Sequence, residues 1–163
     1  MDRIKIGSFE IKSGKVFISD PCYDTNVWCN DFYNAEKGTY NVYIEKMDVE
    51  GWGNRISKLI AIHQDHETDN LVFDEDLGRF GVDSGTLGFF DKRYYDKFHK
   101  DETNDDWYEK YVCSAINDNY NFTENRGVWC SSGCGDGMYY VDAVLNDKEK
   151  VIALMATFLD EED

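Results

Sequence analysis

The sequence is short of several things, and each shortage excludes a class of protein. It holds one proline, Pro21, and no low-complexity stretch, so no linker divides it. Its 163 residues are expected to form a single domain, 1–163, long enough to bury a core without staples. No apolar run approaches the roughly 18 residues of a membrane helix. Residues 1–7 alternate polar and apolar and lack a signal-peptide core. A cytoplasmic protein without membrane contact is expected. Basic residues are scarce, 17 Lys and Arg against 33 Asp and Glu, giving a formal net charge of −16. Such a chain repels phosphates, which argues against direct nucleic-acid binding.

Cysteine pairs at metal-binding spacing are also scarce. The chain has five cysteines and no export signal, so a disulfide framework is not expected. Cys130 and Cys134 lie at a spacing zinc uses, but Cys22 and Cys29 are too far apart to make the second pair. Cys113 sits in an apolar helical pattern and reads as a small buried hydrophobe. His63 and His66 would share a metal on a helix. His63 instead ends a predicted strand and His66 enters an acidic loop, so both read as exposed surface. No metal and no cofactor are expected.

What is abundant is aromatic: ten Phe, eleven Tyr and four Trp, residues that suit pleated, half-buried surfaces. Alternation predicts a strand over 3–11, interrupted at Gly7-Ser8 by a bulge, and a second over 15–19 that pairs back on it as a hairpin. Asp20-Pro21 ends that strand. Residues 24–33 read as a short helix capped by Asp24, or as irregular chain. Strands over 39–49 and 56–63 form a hairpin around Gly51-Trp52-Gly53-Asn54. A short piece at 71–73 and a strand over 79–83 follow. Phe90, Tyr94 and Phe98, four apart, predict a helix over 89–98. A second helix is expected over 107–116, behind Asp105-Asp106. Residues 118–125 read as loop, and 127–131, 138–145 and 150–158 as three strands. The expected class is α+β: a mainly antiparallel sheet, roll or sandwich-like, with one or two helices inserted mid-chain.

Three loops join an Asp to small residues after a predicted strand: 19–23 (Ser-Asp-Pro-Cys-Tyr), 82–85 (Val-Asp-Ser-Gly) and 131–137. The last carries Ser132, Gly133, Gly135, Asp136 and Gly137. Its glycines allow positive φ repeatedly, so a close approach by chain or ligand is expected there. With Ser13-Gly14-Lys15 ahead and Tyr139-Tyr140-Val141 behind, these segments resemble a family of uncharacterised bacterial and bacteriophage proteins, a domain of unknown function. Members share SDPCY-like, VDSG-like and GDGxY-like segments. The resemblance runs from Ile6 to Phe158, with Cys134 where the family usually has an aromatic. It implies a prokaryotic or phage origin and carries no activity.

Two functions are open. In the first, Asp20, Asp83 and Asp136 converge as acid, base or metal carboxylates, with Cys22 or Ser84 as nucleophile, in a small hydrolase. Yet Asp and Ser also cap tight turns, which needs no chemistry. The glycine loop lacks the Lys-Ser or Lys-Thr and the helix of a phosphate cradle. In the second, the protein is a non-catalytic binding or inhibitory protein. Residues 65–76 hold Asp65, Glu67, Asp69, Asp74, Glu75 and Asp76 without a Lys or Arg, and Asp101, Glu102, Asp105 and Asp106 form a second acidic segment. Such segments serve solubility, or present an acidic face to a basic protein partner, as an inhibitor of host defence does by imitating nucleic acid. Lacking a catalytic signature, the chain reads as a binding protein before an enzyme.

Overall fold

A computed structural model describes residues 3–25, 27–99 and 121–161. The helix expected over 107–116, the acidic segment with Asp105 and Asp106, and Cys113 lie outside the described residues. The strands are β1 (Ile4–Ile11), β2 (Lys15–Ser19), β3 (Asp31–Asn34), β4 (Gly38–Val49), β5 (Gly53–His63), β6 (Glu75–Val82), β7 (Thr86–Asp91), β8 (Asn121–Glu124), β9 (Gly127–Ser131), β10 (Gly137–Leu145) and β11 (Val151–Thr157). One α-helix, α1 (Lys92–His99), and a 3-10 turn at Gln64–His66 are the helical elements described. The described residues are therefore mainly β, rather than the expected α+β.

The strands form two antiparallel sheets. One has the order β1-β4-β5-β11-β10-β6 and the other β3-β2-β7-β9-β8. They pack face to face, as a sandwich. Alternate residues of the first sheet (Phe9, Val42, Leu59, Val141, Leu154) meet those of the second (Val16, Ile18, Leu87, Phe89, Val128) in one buried cluster. Each outer face carries a smaller cluster. On the second sheet Phe17, Phe90 and Trp129 are covered by Tyr95 of α1. On the first sheet Ile60, Ile62 and Ala153 are covered by Leu71 and Phe73 of the connection between β5 and β6.

The β4–β5 hairpin forms as expected, and β1 carries a register shift between Lys5 and Gly7, at Ile6 rather than at the expected Gly7-Ser8. The hairpin of β1 with β2 does not form. β1 pairs with β4, whereas β2 pairs with β3 and β7 in the other sheet. The cause is a corner at residues 12–14. The Asp91 carboxylate accepts the backbone N–H groups of Lys12 (2.7 Å) and Ser13 (3.0 Å) through Oδ2, which turns the chain from one sheet to the other. Its Oδ1 accepts the Arg93 N–H (3.0 Å) and so also caps α1. Burial alone raises the Asp91 pKa, but hydrogen bonding from the Ser13 side chain first, and then from the Ser13, Lys12 and Arg93 N–H groups, outweighs it and holds the carboxyl below its ordinary value.

Three other expectations change. The described residues of 24–33 form turns and the start of β3 rather than a helix. Phe89 and Phe90 belong to β7, whose six residues are all buried, so the helix starts only at Lys92 and faces inward through Tyr95. Residues 121–124, expected as loop, are the edge strand β8 paired with β9.

Candidate functional site

The three Asp-bearing loops meet at one end of the sandwich. Asp20 lies at the centre, fully buried, and accepts four hydrogen bonds. Oδ1 takes the Cys22 N–H (2.8 Å) and the Ser84 hydroxyl (2.6 Å). Oδ2 takes the N–H groups of Asp83 (2.8 Å) and Ser84 (2.7 Å). The short side chain explains the first bond, an Asx turn closed two residues on. The other three bind the β6–β7 turn to the end of β2. With about four lone-pair positions on a carboxylate, Asp20 has none left for a substrate proton or a cation.

Its neighbours are similarly engaged. The Ser84 hydroxyl donates to Asp20, so the Thr86 hydroxyl 2.8 Å away donates to it in turn. The Cys22 thiol is half-buried. Burial first, then the Asp20 and Asp83 carboxylates, push its pKa far above the ordinary thiol value, the opposite of an activated nucleophile. Asp83 is exposed and accepts the Tyr23 hydroxyl at 2.6 Å. That phenol is in turn pushed up, by burial and then by the Asp83 bond. Tyr95 donates from below to the backbone carbonyls of Tyr23 (2.5 Å) and Asp20 (3.3 Å).

The glycine loop joins this corner through its backbone. The Ser132 N–H donates to the Gly85 carbonyl (3.0 Å), and exposed Asp136 stands beside Gly85. The close approach expected for this loop comes from the chain itself. Gly133 adopts φ 59°, and a Cβ there would sit 3.0 Å from Leu159 Cγ and 3.1 Å from Phe158 Cβ. Arg55 donates to the Gly133 carbonyl (2.8 Å), Tyr139 and Ser132 to that of Gly135 (2.5 and 2.8 Å). Gly137 is the first residue of β10 and pairs with Val82.

The acidic residues gather elsewhere. Asp65, Glu67, Asp69, Asp74, Glu75 and Asp76 are all exposed, and no described Lys or Arg forms an ion pair with any of them. They lie on a strap, residues 64–74, and at the start of β6. Glu67 accepts hydrogen bonds from Asn41 and Tyr43, and Asp76 from the Gly78 N–H. Glu75 and Asp76 also line a surface groove of about 430 Å³ with Phe32, Tyr33 and Glu149. Carboxylates crowd there. Asp142 pairs with Asp76 across β10 and β6, and burial, then Asp76, raise its pKa. The Tyr33 phenol is pushed up to about 12 by burial, then by Asp31 and Asp76.

Sequence reasoning missed Asp91, which looked like one more acid on a helix. It also missed Glu36, which lies just ahead of β4 and is brought to His63 and His66 by the β4–β5 register. His63 was expected at the surface and is in fact 2 % exposed.

An antiparallel two-sheet sandwich, its loops clasped at one end by a buried carboxylate and its outer face crossed by an acidic strap, defines the class of molecule. The chain belongs to DUF4241, a protein family of unknown function, whose model matches residues 9–156. No curated protein and no solved structure matches the chain.

Proposed function

We propose that this chain is a non-catalytic binding protein of prokaryotic or phage origin that works in the cytoplasm and engages a basic protein partner through its acidic strap. The observation that carries the reading is the contrast in carboxylate chemistry. The six strap carboxylates are exposed and make no described ion pair with Lys or Arg, on a backbone that Leu71 and Phe73 anchor to the sheet. A row of unneutralised charge on a fixed backbone repels itself, and a cationic surface relieves that repulsion. The groove beside Glu75 and Asp76 adds aromatic walls from Phe32 and Tyr33, which suit a Lys or Arg side chain. The partner class is a nucleic-acid-binding protein, such as a host defence factor, whose phosphate-binding surface the carboxylates occupy.

Convergence of Asp20, Asp83 and Asp136 supports a small hydrolase as the second reading, whereas the four hydrogen bonds on Asp20 and the raised pKa of the Cys22 thiol weigh against those two residues as its base and nucleophile. The test is capture of partners from a host lysate on the immobilised chain at rising salt. Association steered by charge weakens steeply as screening shortens its reach to about 8–10 Å. Neutralising the strap acids to Asn and Gln should slow binding, while Asp83→Asn and Asp136→Asn should leave it intact. The reverse pattern, with hydrolytic activity lost in the loop variants, would establish the hydrolase instead.

A further inference from the structure

Glu36, His63 and His66 come together outside the clasped corner, at the point where the strap leaves β5. One ligand atom from each lies within 4.8 Å of the others. The three reach this point from two pieces of chain, Glu36 from between β3 and β4 and the two histidines from the end of β5 and the 3-10 turn that follows it. Glu36 follows β3, where its N–H donates to the Val151 carbonyl (2.9 Å) and its carbonyl accepts the buried Tyr40 hydroxyl (2.7 Å). His63 is the last residue of β5, buried, with its ring edge-on to Tyr40 at 5.2 Å. His66 closes the 3-10 turn, with Nε2 2.5 Å from Glu36 Oε2.

The protonation of His63 follows from its partners. The Asp65 N–H can only donate, so Nδ1 accepts it (3.1 Å), and Nε2 carries the proton to the Lys37 carbonyl (2.9 Å). His63 is thus a neutral imidazole held in place by a backbone carbonyl, the form in which histidines bind metals and the outer bond they commonly keep. Release of the Asp65 amide frees Nδ1 for an ion while that outer bond stays. Gly38 preserves the arrangement, because a Cβ there would meet His63 Nε2 at 2.5 Å.

We propose that Glu36, His63 and His66 form a binding site for a divalent first-row transition ion, zinc or one of its neighbours, with solvent completing the shell. Metal–nitrogen and metal–carboxylate bonds of about 2.0–2.2 Å put ligand atoms roughly 3–4 Å apart, so the three donors share one ion once they draw together from within 4.8 Å and His63 exchanges its Asp65 bond for the metal. Two imidazoles and one carboxylate suit zinc, cobalt, nickel or iron(II), and they do not suit calcium or magnesium, which take oxygen. The Glu36 and His66 side chains are about one-third exposed, which leaves the remaining positions open to water. His66 stands at the root of the acidic strap, so a bound ion ties that root to the sheet. The proposal does not depend on the binding reading above.

The experiment uses the full chain, stripped with a chelator, titrated with zinc by calorimetry and with cobalt by visible absorption at neutral pH. One ion per chain is expected, with cobalt d–d bands of low-coordinate geometry and a zinc-dependent rise in melting temperature. His66→Ala and Glu36→Gln alter part-exposed side chains and should fold. Each should weaken binding by at least about tenfold and abolish the zinc-dependent rise, since each removes one of three protein ligands. Absence of binding to the stripped chain overturns the proposal. So does undiminished binding in both variants, which places the ion on the cysteines or surface carboxylates.

Discussion

Two regions of this molecule are rich in the same side chain and use it in opposite ways. At the clasped corner, Asp20 is buried and receives four hydrogen bonds, and Asp91 at the sheet-switching corner is 2 % exposed and receives three. Along the strap, six carboxylates stand in solvent without a described Lys or Arg ion pair. Buried carboxylates take the place of regular ladder bonds, satisfying amides that the turns leave orphaned. Exposed ones leave the fold almost untouched and set the long-range field. Acidity by itself therefore says nothing about role, and the hydrogen-bond count of each carboxylate decides it.

The sharpest way to break this contrast is at Asp20. Asp20→Ala leaves the N–H groups of Cys22, Asp83 and Ser84 and the Ser84 hydroxyl, all part-buried, without their acceptor. A loss of about 3–5 kcal/mol in denaturant unfolding is expected, because each orphaned donor costs its desolvation. A variant that melts like the parent would mean water replaces the carboxylate and the clasp is incidental.

Asp91 sharpens the contrast through pH. Its folded pKa is lowered, so its contribution is fully present above the ordinary carboxylate value of about 3.9 and is lost as pH falls through the lowered folded value. The parent should lose stability on acidification below about pH 4 more steeply than Asp91→Asn, which has no such charge to lose. At neutral pH the variant should be less stable by about 1–3 kcal/mol, since charged acceptors bind amides more strongly. Parallel acid-unfolding curves would show that other carboxylates carry the acid transition.

These two corners also mark where sequence reading stops. The β4–β5 hairpin was legible because its apolar alternation and its Gly51–Gly53 turn are local signals, and so were the strands at β9, β10 and β11. The switch of sheet between β1 and β2 was not legible. Ser13-Gly14 looks like any hairpin turn, and the residue that redirects it, Asp91, lies 78 positions from Ser13. β7 was misread because Phe90, Tyr94 and Phe98 have helical spacing, while burial of every β7 residue overrides that pattern. At the candidate site, the three loops were visible as turn chemistry, but the saturation of Asp20 depends on a partner loop 63 and 64 positions away. Glu36, His63 and His66 gave only the His-x-x-His fragment, since their meeting needs both β4 and β5 in register.

The strap should respond least. Changing Asp65, Asp69, Asp74 and Asp76 to Asn, with Glu67 and Glu75 to Gln, lowers the net negative charge by six. The replacements keep a carbonyl oxygen where one is used. Glu67 accepts from Tyr43 and Asn41 through separate oxygens, so in Glu67→Gln the single amide oxygen keeps one of these exposed bonds and the other is given up to solvent, while in Asp76→Asn it can still accept the Gly78 N–H. The anchors Leu71 and Phe73 are untouched, so the strap keeps its place on Ile60 and Ile62. Exposed substitutions of this kind usually alter stability by no more than about 0.5 kcal/mol. The sign should be a small gain at low salt, because the removed charges repel one another and the rest of an acidic chain, and the gain should fade as salt screens that repulsion. Melting temperatures of parent and variant, measured at low and high salt, read both the size and the sign. A large loss at either salt would mean that the strap carboxylates hold the fold as Asp20 and Asp91 do, and the two regions would no longer differ in kind.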